Sequence, residues 1–285
     1  MKGIINLGNS CYLNAALQLL LQNIELCLLI IKYGDYSEKL QIFKKIIREY
    51  YDKSSKDYIN PIEVKKLIDE RQIEFLDNRQ NDSSEAIVFI LDIIESELKN
   101  LNKKDEYDSL FRINFNQKIK CKRKTCLSII NKNYNEEQLY LPVNPDSKSL
   151  DDCYNSNYCR EMLEGNNQYF CDKCNTKTNA SKKIELLSFS KNLIIGLNRY
   201  YYDKKSNNCI KINQDIDIPL EWKFNTILQG AIIHYGNTNG GHLIYIGKYN
   251  NIWYIYNDCN ISEINSIDNL NNLLRKAYWL FYIKQ

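Results

Sequence analysis

Cys11 follows the run Asn6-Leu7-Gly8-Asn9-Ser10 and heads an apolar helical pattern, a place where a thiol is either a small buried hydrophobe or a nucleophile. A cysteine nucleophile needs thiolate character, a base, and donors for the oxyanion that develops on the attacked carbonyl. At a helix N-terminus the macrodipole and the free amides are expected to lower the thiol pKa. The side-chain amide of Asn6 is a candidate oxyanion donor, and Gly8 is expected to permit a tight backbone approach ahead of the helix. The base must be His234 or His242, the only two histidines in the chain. His234 ends an apolar run, which suits a buried, hydrogen-bonded structural role. His242 follows Gly240-Gly241 at a strand start, where an imidazole can face a cleft. A hairpin pairing 242–247 with 252–256 places residue 257 beside 242, so that Asn257 or Asp258 could orient the ring.

A second constellation is made of thiols alone. Cys121 and Cys126 form one close pair, and Cys171 and Cys174 form another. Tetrahedral zinc takes four thiolates at about 2.3 Å, and two knuckles carried on adjacent hairpins supply that geometry. The second pair has CxxC spacing and the first is wider, with four residues between the cysteines. Four buried core cysteines are the alternative, but Lys120, Lys122, Arg123 and Lys124 make a poor core. One structural Zn2+ and no catalytic cofactor is the expectation. Cys153 and Cys159 lie between the pairs, and their spacing in a helical pattern favours packing or exposure over ligation. The basic residues between 118 and 124 suit a solvated fingertip and offset thiolate charge; the rival is a zinc-ribbon nucleic-acid binder.

These groups need elements to hold them. Leu13, Ala16, Leu17, Leu20 and Leu21 recur at helical spacing behind Cys11. Asn60-Pro61-Ile62-Glu63 and Asp82-Ser83-Ser84-Glu85 both read as helix starts, the second before the apolar run Ala86 to Ile94. Helical character fades at a polar hinge, Asn102-Lys103-Lys104-Asp105. From about Phe111 the pattern turns to short strands: 111–119, 138–141, 193–197, 227–235, 242–247, 252–256 and 277–283, with a helical interlude at 150–163 between the cysteine pairs. A helical first lobe followed by a strand-rich second lobe is an α+β arrangement.

The bulk properties bound the answer. The 285 residues, 44% hydrophobic, can bury a substantial core, and 38 basic against 35 acidic side chains leave a formal charge of +3. That near balance gives no argument for a nucleic-acid or membrane partner. The N-terminus lacks a signal-peptide pattern and no apolar run is long enough to span a bilayer, so the chain reads as soluble and intracellular, in cytoplasm or nucleus. Ten cysteines in a reducing compartment point to metal ligation or catalysis rather than disulfides.

Taken together, the motifs resemble those of the ubiquitin-specific proteases, papain-like cysteine deubiquitinases. Residues 3–18, from Gly3 through Cys11 to Gln18, resemble the family's cysteine box. Gln80-Asn81-Asp82-Ser83-Ser84-Glu85 resembles its Gln-x-Asp-x-x-Glu segment. Tyr169-Phe170-Cys171-Asp172-Lys173-Cys174, the stretch from Leu193 to Tyr200, and the histidine box from Gly240 through Asp258 are further similar stretches. The resemblance implies a papain-like cysteine protease fold with a helical thumb (1–108), zinc-ribbon fingers with a helical interlude (109–190) and a β-sheet palm (191–285) in one catalytic domain.

The same resemblance implies site roles. Cys11 is the nucleophile, His242 the general base and then acid, Asn257 the residue orienting the imidazole, and Asn6 an oxyanion donor. Asp258 matches an auxiliary polar position. Asp82, Glu85, Gly240 and Gly241 match the region around the ubiquitin tail, and Cys121, Cys126, Cys171 and Cys174 match the metal ligands. The implied partners are ubiquitin and ubiquitinated proteins or chains, acted on by a monomer without nucleic acid or membrane. Three features depart from the family pattern: Leu243 replaces the usual aromatic after the histidine, the first cysteine pair is wide, and a common proline is absent from Leu187-Ser188-Phe189-Ser190. Little chain precedes the cysteine box, as in a bare catalytic domain. The rival readings are a catalytically weak ubiquitin-binding adaptor and a protease for a ubiquitin-like modifier.

Overall fold

The apolar spacing behind Cys11 forms helix α1 (Cys11–Leu21), and all of its residues are buried. A helix buried on every side belongs at the centre of a structure rather than on its surface. In the computed structural model, which describes residues 1–54, 56–70, 83–126, 128–203, 207–237 and 240–285, five further helices pack around or near α1. They are α2 (Ile24–Tyr33), α3 (Glu38–Tyr51), α4 (Ile62–Asp69), α5 (Ser83–Asn100) and α6 (Lys104–Phe111). Asn23 caps α2 by accepting the Leu26 N–H at 3.1 Å, and Ser37 caps α3 by accepting the Leu40 N–H at 3.3 Å. The Asn60 side chain accepts the Ile62 N–H at 3.1 Å, so α4 begins one residue later than the Asn60-Pro61 pattern suggests.

The polar hinge expected at 102–105 is only a short break. Asn102 takes a left-handed φ of 57°, and α6 then starts at Lys104. Tyr107, Leu110 and Phe111 give α6 a buried face, and the acids Asp105 and Glu106 sit in its first turn, where the macrodipole favours them. The strand expected from Phe111 therefore starts two residues later, at Ile113.

The large sheet holds the second half together. Its main path runs in the order β17 (Asn260–Glu263), β16 (Ile252–Asn257), β15 (Gly240–Tyr249), β14 (Thr226–Asn237), β18 (Ala277–Lys284), β10 (Asn192–Asn198) and β5 (Gln138–Pro142), with β13 (Glu221–Trp222) paired to β14. All of these pairs are antiparallel except β10 with β5. Alternate residues of the central strands enter different cores. Ile194, Ile232, Tyr245 and Trp279 pack under the helices, whereas Leu193, Ile195, Ile233, Ile246 and Leu280 pack on the opposite face with Leu139, Leu141, Leu270 and Leu274. Burial on both faces explains why these strands read as continuous apolar runs instead of alternating ones. Helices α7 (Leu150–Asn157) and α8 (Ile267–Leu274) serve the second core, α7 beginning with a Ser149–Asp152 capping box.

The helical interlude is shorter than the sequence suggested: α7 ends at Asn157, and β6 (Glu161–Leu163) pairs with a long strand instead. That strand, β9 (Ala180–Phe189), belongs to a four-stranded sheet in the order β4 (Ile129–Glu136), β3 (Ile113–Cys121), β9, β6. A hairpin of β7 (Tyr169–Cys171) and β8 (Thr176–Thr178) stands at its end. Two small pairs complete the fold: β1 (Gly3–Ile4) runs parallel to β2 (Tyr58–Ile59), and β11 (Tyr200–Asp203) forms a hairpin with β12 (Asn208–Lys211). Among the described residues, no single helix is long and apolar enough to cross a membrane.

Because α1 has no solvent face, truncation inside it leaves a cavity that neither neighbour can easily fill. Leu13 is fully buried. Leu13→Ala is expected to cost about 3 kcal/mol of unfolding free energy, measured by chemical denaturation, against under about 0.5 kcal/mol for a substitution at an exposed lysine such as Lys56.

Candidate active site

Cys11 is the first residue of α1, and the loop before it is built by side chains that satisfy its own amides. Asn6 Oδ1 accepts the Gly8 N–H at 2.9 Å and the Ser10 N–H at 3.3 Å, while Ser10 Oγ accepts the Leu7 N–H at 2.8 Å. Ser10 is thereby turned away from capping, and the first amides of α1 remain directed at the Cys11 sulfur. Gly8 has φ +95° with open space where a Cβ would lie. The glycine is thus needed for its left-handed turn and not for the close approach expected of it.

The thiol pKa moves against expectation. Burial, with the residue only 5% exposed, pushes it up, the Leu243 amide pulls it down, and the Asp258 carboxylate pushes it up again. The amides of Tyr12 and Cys11 also favour the thiolate, but desolvation outweighs them. The helix terminus moderates the cost of burying a thiolate and does not reverse it.

Strand β15 runs alongside α1 and brings the histidine box to this helix end. His242 Nε2 lies 2.7 Å from Asn257 Oδ1. With Nε2 donating to that oxygen, Nδ1 is the nitrogen left basic. The pairing differs in register from the simple hairpin: Tyr245 faces Tyr256, so Asn257 continues opposite residue 244 and not 242. The shift is by two positions, which keeps both side chains on one face of the sheet and lets them meet diagonally. The Cys11 thiol and the His242 ring are not hydrogen-bonded to each other in this structure; the backbone of Leu243, next to His242, is what faces the sulfur. The Leu243 side chain is buried in the core beneath the helices.

Asp258 follows Asn257 but serves another partner. Its φ of +50° turns the chain between β16 and β17. Its carboxylate accepts Asn6 Nδ2 at 2.8 Å on one oxygen and Asn14 Nδ2 at 2.6 Å on the other. The Asp258 carbonyl also accepts the Ile4 N–H at 2.9 Å. Asn14 was not singled out by the sequence reading, although it lies one helical turn after Cys11 inside the cysteine box, where a polar residue on a fully buried helix is a signal. It is 3% exposed, and its Nδ2 also lies 3.3 Å from the carbonyls of Ile4 and Ile5. The structure therefore brings Cys11, Asn6, Asn14, His242, Asn257 and Asp258 into one locality.

The remaining sequence candidates fall around it. Gly241 lies against His234: a Cβ on it would sit 2.2 Å from His234 Nε2 and 2.2 Å from the Tyr235 carbonyl. That space demands glycine. His234 is half-buried, less enclosed than expected, with Nδ1 at 3.5 Å from both the Tyr200 hydroxyl and Lys211 Nζ and its ring edge-on to Tyr278. Gly240 opens β15 with φ +155°. Glu85 is exposed in the first turn of α5, and Asp82 lies outside the described residues.

The four paired cysteines converge. The sulfurs of Cys121, Cys126, Cys171 and Cys174 all lie within 4.8 Å of one another, with Cys126 and Cys171 at 3.8 Å. Thiolates at about 2.3 Å from a tetrahedral ion would stand about 3.8 Å apart, so the group fits one metal ion. Cys126 and Cys174 each sit in a tight turn, their N–H groups donating to the carbonyls of Arg123 and Cys171 at 3.0 Å. The Thr178 hydroxyl, 3.4 Å away, and the Arg123 amide pull the Cys121 thiol down to about 7, whereas the Cys126 thiol holds Cys174 up at about 12. Sulfurs crowded this closely share protons when no cation neutralises them. Cys153 is buried in the second core and Cys159 is exposed, so neither competes.

Comparisons with known proteins bear on the fold and the family. The family model described as ubiquitin carboxyl-terminal hydrolase matches residues 2–282. Ubiquitin carboxyl-terminal hydrolase 48 of Danio rerio is 26% identical over 296 residues, covering 92% of this chain and 27% of that protein. Ubiquitin carboxyl-terminal hydrolase Usp2 of Drosophila melanogaster is 26% identical over 330 residues, covering 98% of this chain and 34% of its own. The chain thus spans about a quarter to a third of the length of these relatives. Among solved structures, the SAGA DUB module of Ubp8, Sgf11, Sus1 and Sgf73 bound to ubiquitin aldehyde matches with a TM-score of 0.84 at 21% identity, covering 100% of this chain and 70% of the other. The same module bound to monoubiquitin matches with a TM-score of 0.87 at 21% identity, covering 100% and 69%. The likeness to solved structures fixes the fold, an α+β hand-like protease architecture, and the match across residues 2–282 fixes the kinship: this chain belongs to the ubiquitin carboxyl-terminal hydrolase family.

Proposed function

We propose that this chain is a deubiquitinase that hydrolyses, through a thiol, the isopeptide or peptide bond after the C-terminal glycine of ubiquitin. The observation that carries the reading is the junction of the α1 N-terminus with the His242–Asn257 pair, bonded at 2.7 Å. In this reading residues 1–108 form a thumb, 109–190 contribute largely to fingers and 191–285 form a palm. The substrate tail passes the Gly240-Gly241 segment and the α5 start, with Glu85 beside it.

Each group has a chemical task. Cys11 attacks the carbonyl as thiolate, its proton going to Nδ1 of His242 while Asn257 holds Nε2. The ring closes onto the sulfur when substrate fills the cleft, a tightening common to catalytic hydrogen bonds that are long in the free enzyme. The Asn6 amide and a backbone amide at the head of α1 receive the oxyanion, and Asp258 holds Asn6 for that purpose. Protonated His242 gives its proton to the leaving lysine amine. Water activated by His242 then cleaves the thioester and restores the thiol.

The four-cysteine cluster takes one structural Zn2+, whose contribution is a cross-link between the Cys121–Cys126 and Cys171–Cys174 turns. The donor set, all sulfur and closed to further ligands, suits a structural site and leaves no open position for catalysis.

Three outcomes follow from these assignments. A ubiquitin probe with a C-terminal electrophile should label the wild type and leave Cys11→Ala unlabelled, while Asn257→Ala is labelled on the order of ten- to a hundredfold more slowly. No labelling of folded wild type would overturn the enzymatic reading. The Asp258 charge opposes the Cys11 thiolate. Asp258→Asn should therefore move the midpoint of Cys11 alkylation by iodoacetamide to lower pH, even as turnover falls through loss of the Asn6 anchor. Metal analysis should find about one zinc per chain, with Cys121→Ser losing it and unfolding more readily; a content far below one equivalent would undo the zinc assignment.

A further inference from the structure

The end of the β14–β15 hairpin that carries His242 has few bonds of its own to hold it. In register, Asn237 faces Gly240, Gly236 faces Gly241 and Tyr235 faces His242. On its other side β15 pairs with β16 only from Tyr245 to Tyr249. Among the described residues, the stretch 240–244 therefore has β14 as its single strand neighbour. The last rungs are glycine because the two backbones nearly touch: a Cβ on Gly236 would lie 2.3 Å from the Gly240 carbonyl oxygen and 2.5 Å from Gly241 Cα. Glycine leaves those rungs without cross-strand side-chain pairs and with the most conformational entropy to lose on ordering.

Lys211, at the end of β12, reaches these rungs from the neighbouring hairpin. Its Nζ donates to the Gly236 carbonyl at 2.6 Å and lies 3.5 Å from both the His234 carbonyl and His234 Nδ1. An ammonium can only donate, so Nδ1 is the accepting nitrogen and the His234 ring carries its proton at Nε2. That Nε2 occupies the space beside Gly241, 2.2 Å from where a Cβ would stand. Lys211 is half-buried and forms no ion pair among the described residues. Burial, then the charges of Arg199 and Lys276, hold its pKa down. A partly desolvated ammonium beside two other cations is a poor choice for stability alone, and both of its carbonyl acceptors belong to the strand that faces His242.

We infer that Lys211 is a positioning residue for the reaction: by bonding the Gly236 carbonyl and holding the His234 ring against Gly241, it fixes the glycine rungs of β14–β15 and with them the place of His242. The inference rests on the deubiquitinase reading and adds to it the side chain that keeps the base where it must be. Asn257 restrains the imidazole at Nε2. That bond orients the ring but does not anchor the backbone beneath it, which follows the rungs at Gly236 and Gly241. Lys211 acts on that backbone from a separate hairpin and touches neither Cys11 nor the substrate bond. A displacement of about 1 Å at a reacting group is worth up to about a hundredfold in rate, so a single anchor at this hairpin end has kinetic weight.

The test uses the full chain, a fluorogenic amide of intact ubiquitin, and nitrogen NMR of labelled imidazoles, which belong to His234 and His242 alone. His242→Gln identifies the His242 ring by its disappearance. Wild type should show that ring as a single Nε2–H tautomer. Lys211→Met keeps the aliphatic stem and removes the donor; it should lower kcat about tenfold with KM within about threefold, and should mix the His242 tautomers. Lys211→Arg restores a donor and should return kcat to within about threefold of wild type. Undiminished kcat in Lys211→Met, or a loss of kcat with the His242 signature unchanged, overturns the proposal. Mixed tautomers already present in wild type do the same. So does loss of the signature in both variants with melting midpoints lowered by more than about 5 °C, the mark of a structural residue. If wild type hydrolyses nothing, the deubiquitinase reading fails by itself, and the His242 signature of Lys211→Met against wild type still decides the role of the lysine.

Discussion

The complete burial of α1 is the constraint from which the rest of the structure follows. An eleven-residue helix with no solvent face must be covered by helices on one side and by the sheet on the other, and this produces the two-lobed arrangement around it. Its N-terminus meets the histidine-bearing strand β15, and that is where Cys11 stands. The same burial that fixes the position of the sulfur opposes its ionisation. Amides of Leu243, Tyr12 and Cys11 aimed at the thiol lessen the desolvation, and the neighbouring Asp258 charge adds to it. The site is thus built for accurate placement of a thiol beside an imidazole brought from the sheet.

How the sheet places that imidazole turns on two adjacent residues with different loyalties. Along an extended strand, neighbours point to opposite faces; at Asp258 the left-handed φ breaks the strand and lets both side chains work at the same junction. Asn257 reaches across to His242, and Asp258 reaches back to Asn6 and Asn14. The backbone is locked by the Ile4 N–H bond to the Asp258 carbonyl and by the contact of Gly3 with Cys259, where any Cβ would collide at 2.3 Å. Asn14 is the hidden member of this arrangement. It binds the N-terminal segment, α1 and the β16–β17 turn with one amide group, so a displacement of any of the three is felt by the other two.

Much of this was legible in the sequence because it depended on local pattern. The apolar spacing behind Cys11, the strands around Ile195, Ile232 and Leu280, and the paired cysteines each carry their own signal. What escaped depended on distance in space. The two-position register shift between β15 and β16 left the face assignments of His242 and Asn257 intact, which is why the pairing was foreseen although its register was not. The break at 102 looked like the end of helical structure because five consecutive polar residues, Asn102 to Glu106, conceal the buried face of Tyr107, Leu110 and Phe111. The thiol pKa could not be read from a helix start alone, since desolvation arises from α5, β15 and the rest of the packing. Asn14 escaped for the same reason: its partner is 244 residues away.

The sheet β4–β3–β9–β6 shows how a polar face and a cluster of thiols at its tip are related. Strands β3, β4 and β9 present asparagine and lysine on one face, so away from the Phe115 base this sheet has little apolar area to bury. A sheet with one polar face and a thin apolar one is marginal in water, and small units of this kind need a staple. Among the described residues, the buried cluster at their far end is Cys121, Cys126 and Cys171, with Cys174 and Tyr169 packed against it. A metal ion held by those four sulfurs would join the end of β3 to the β7–β8 hairpin across some fifty residues of chain, removing more freedom from the unfolded state than a local contact does. A polar face on this sheet and four sulfurs placed to hold one ion at its tip are two parts of one arrangement: the sheet can remain polar where a cross-link at its end would supply stability.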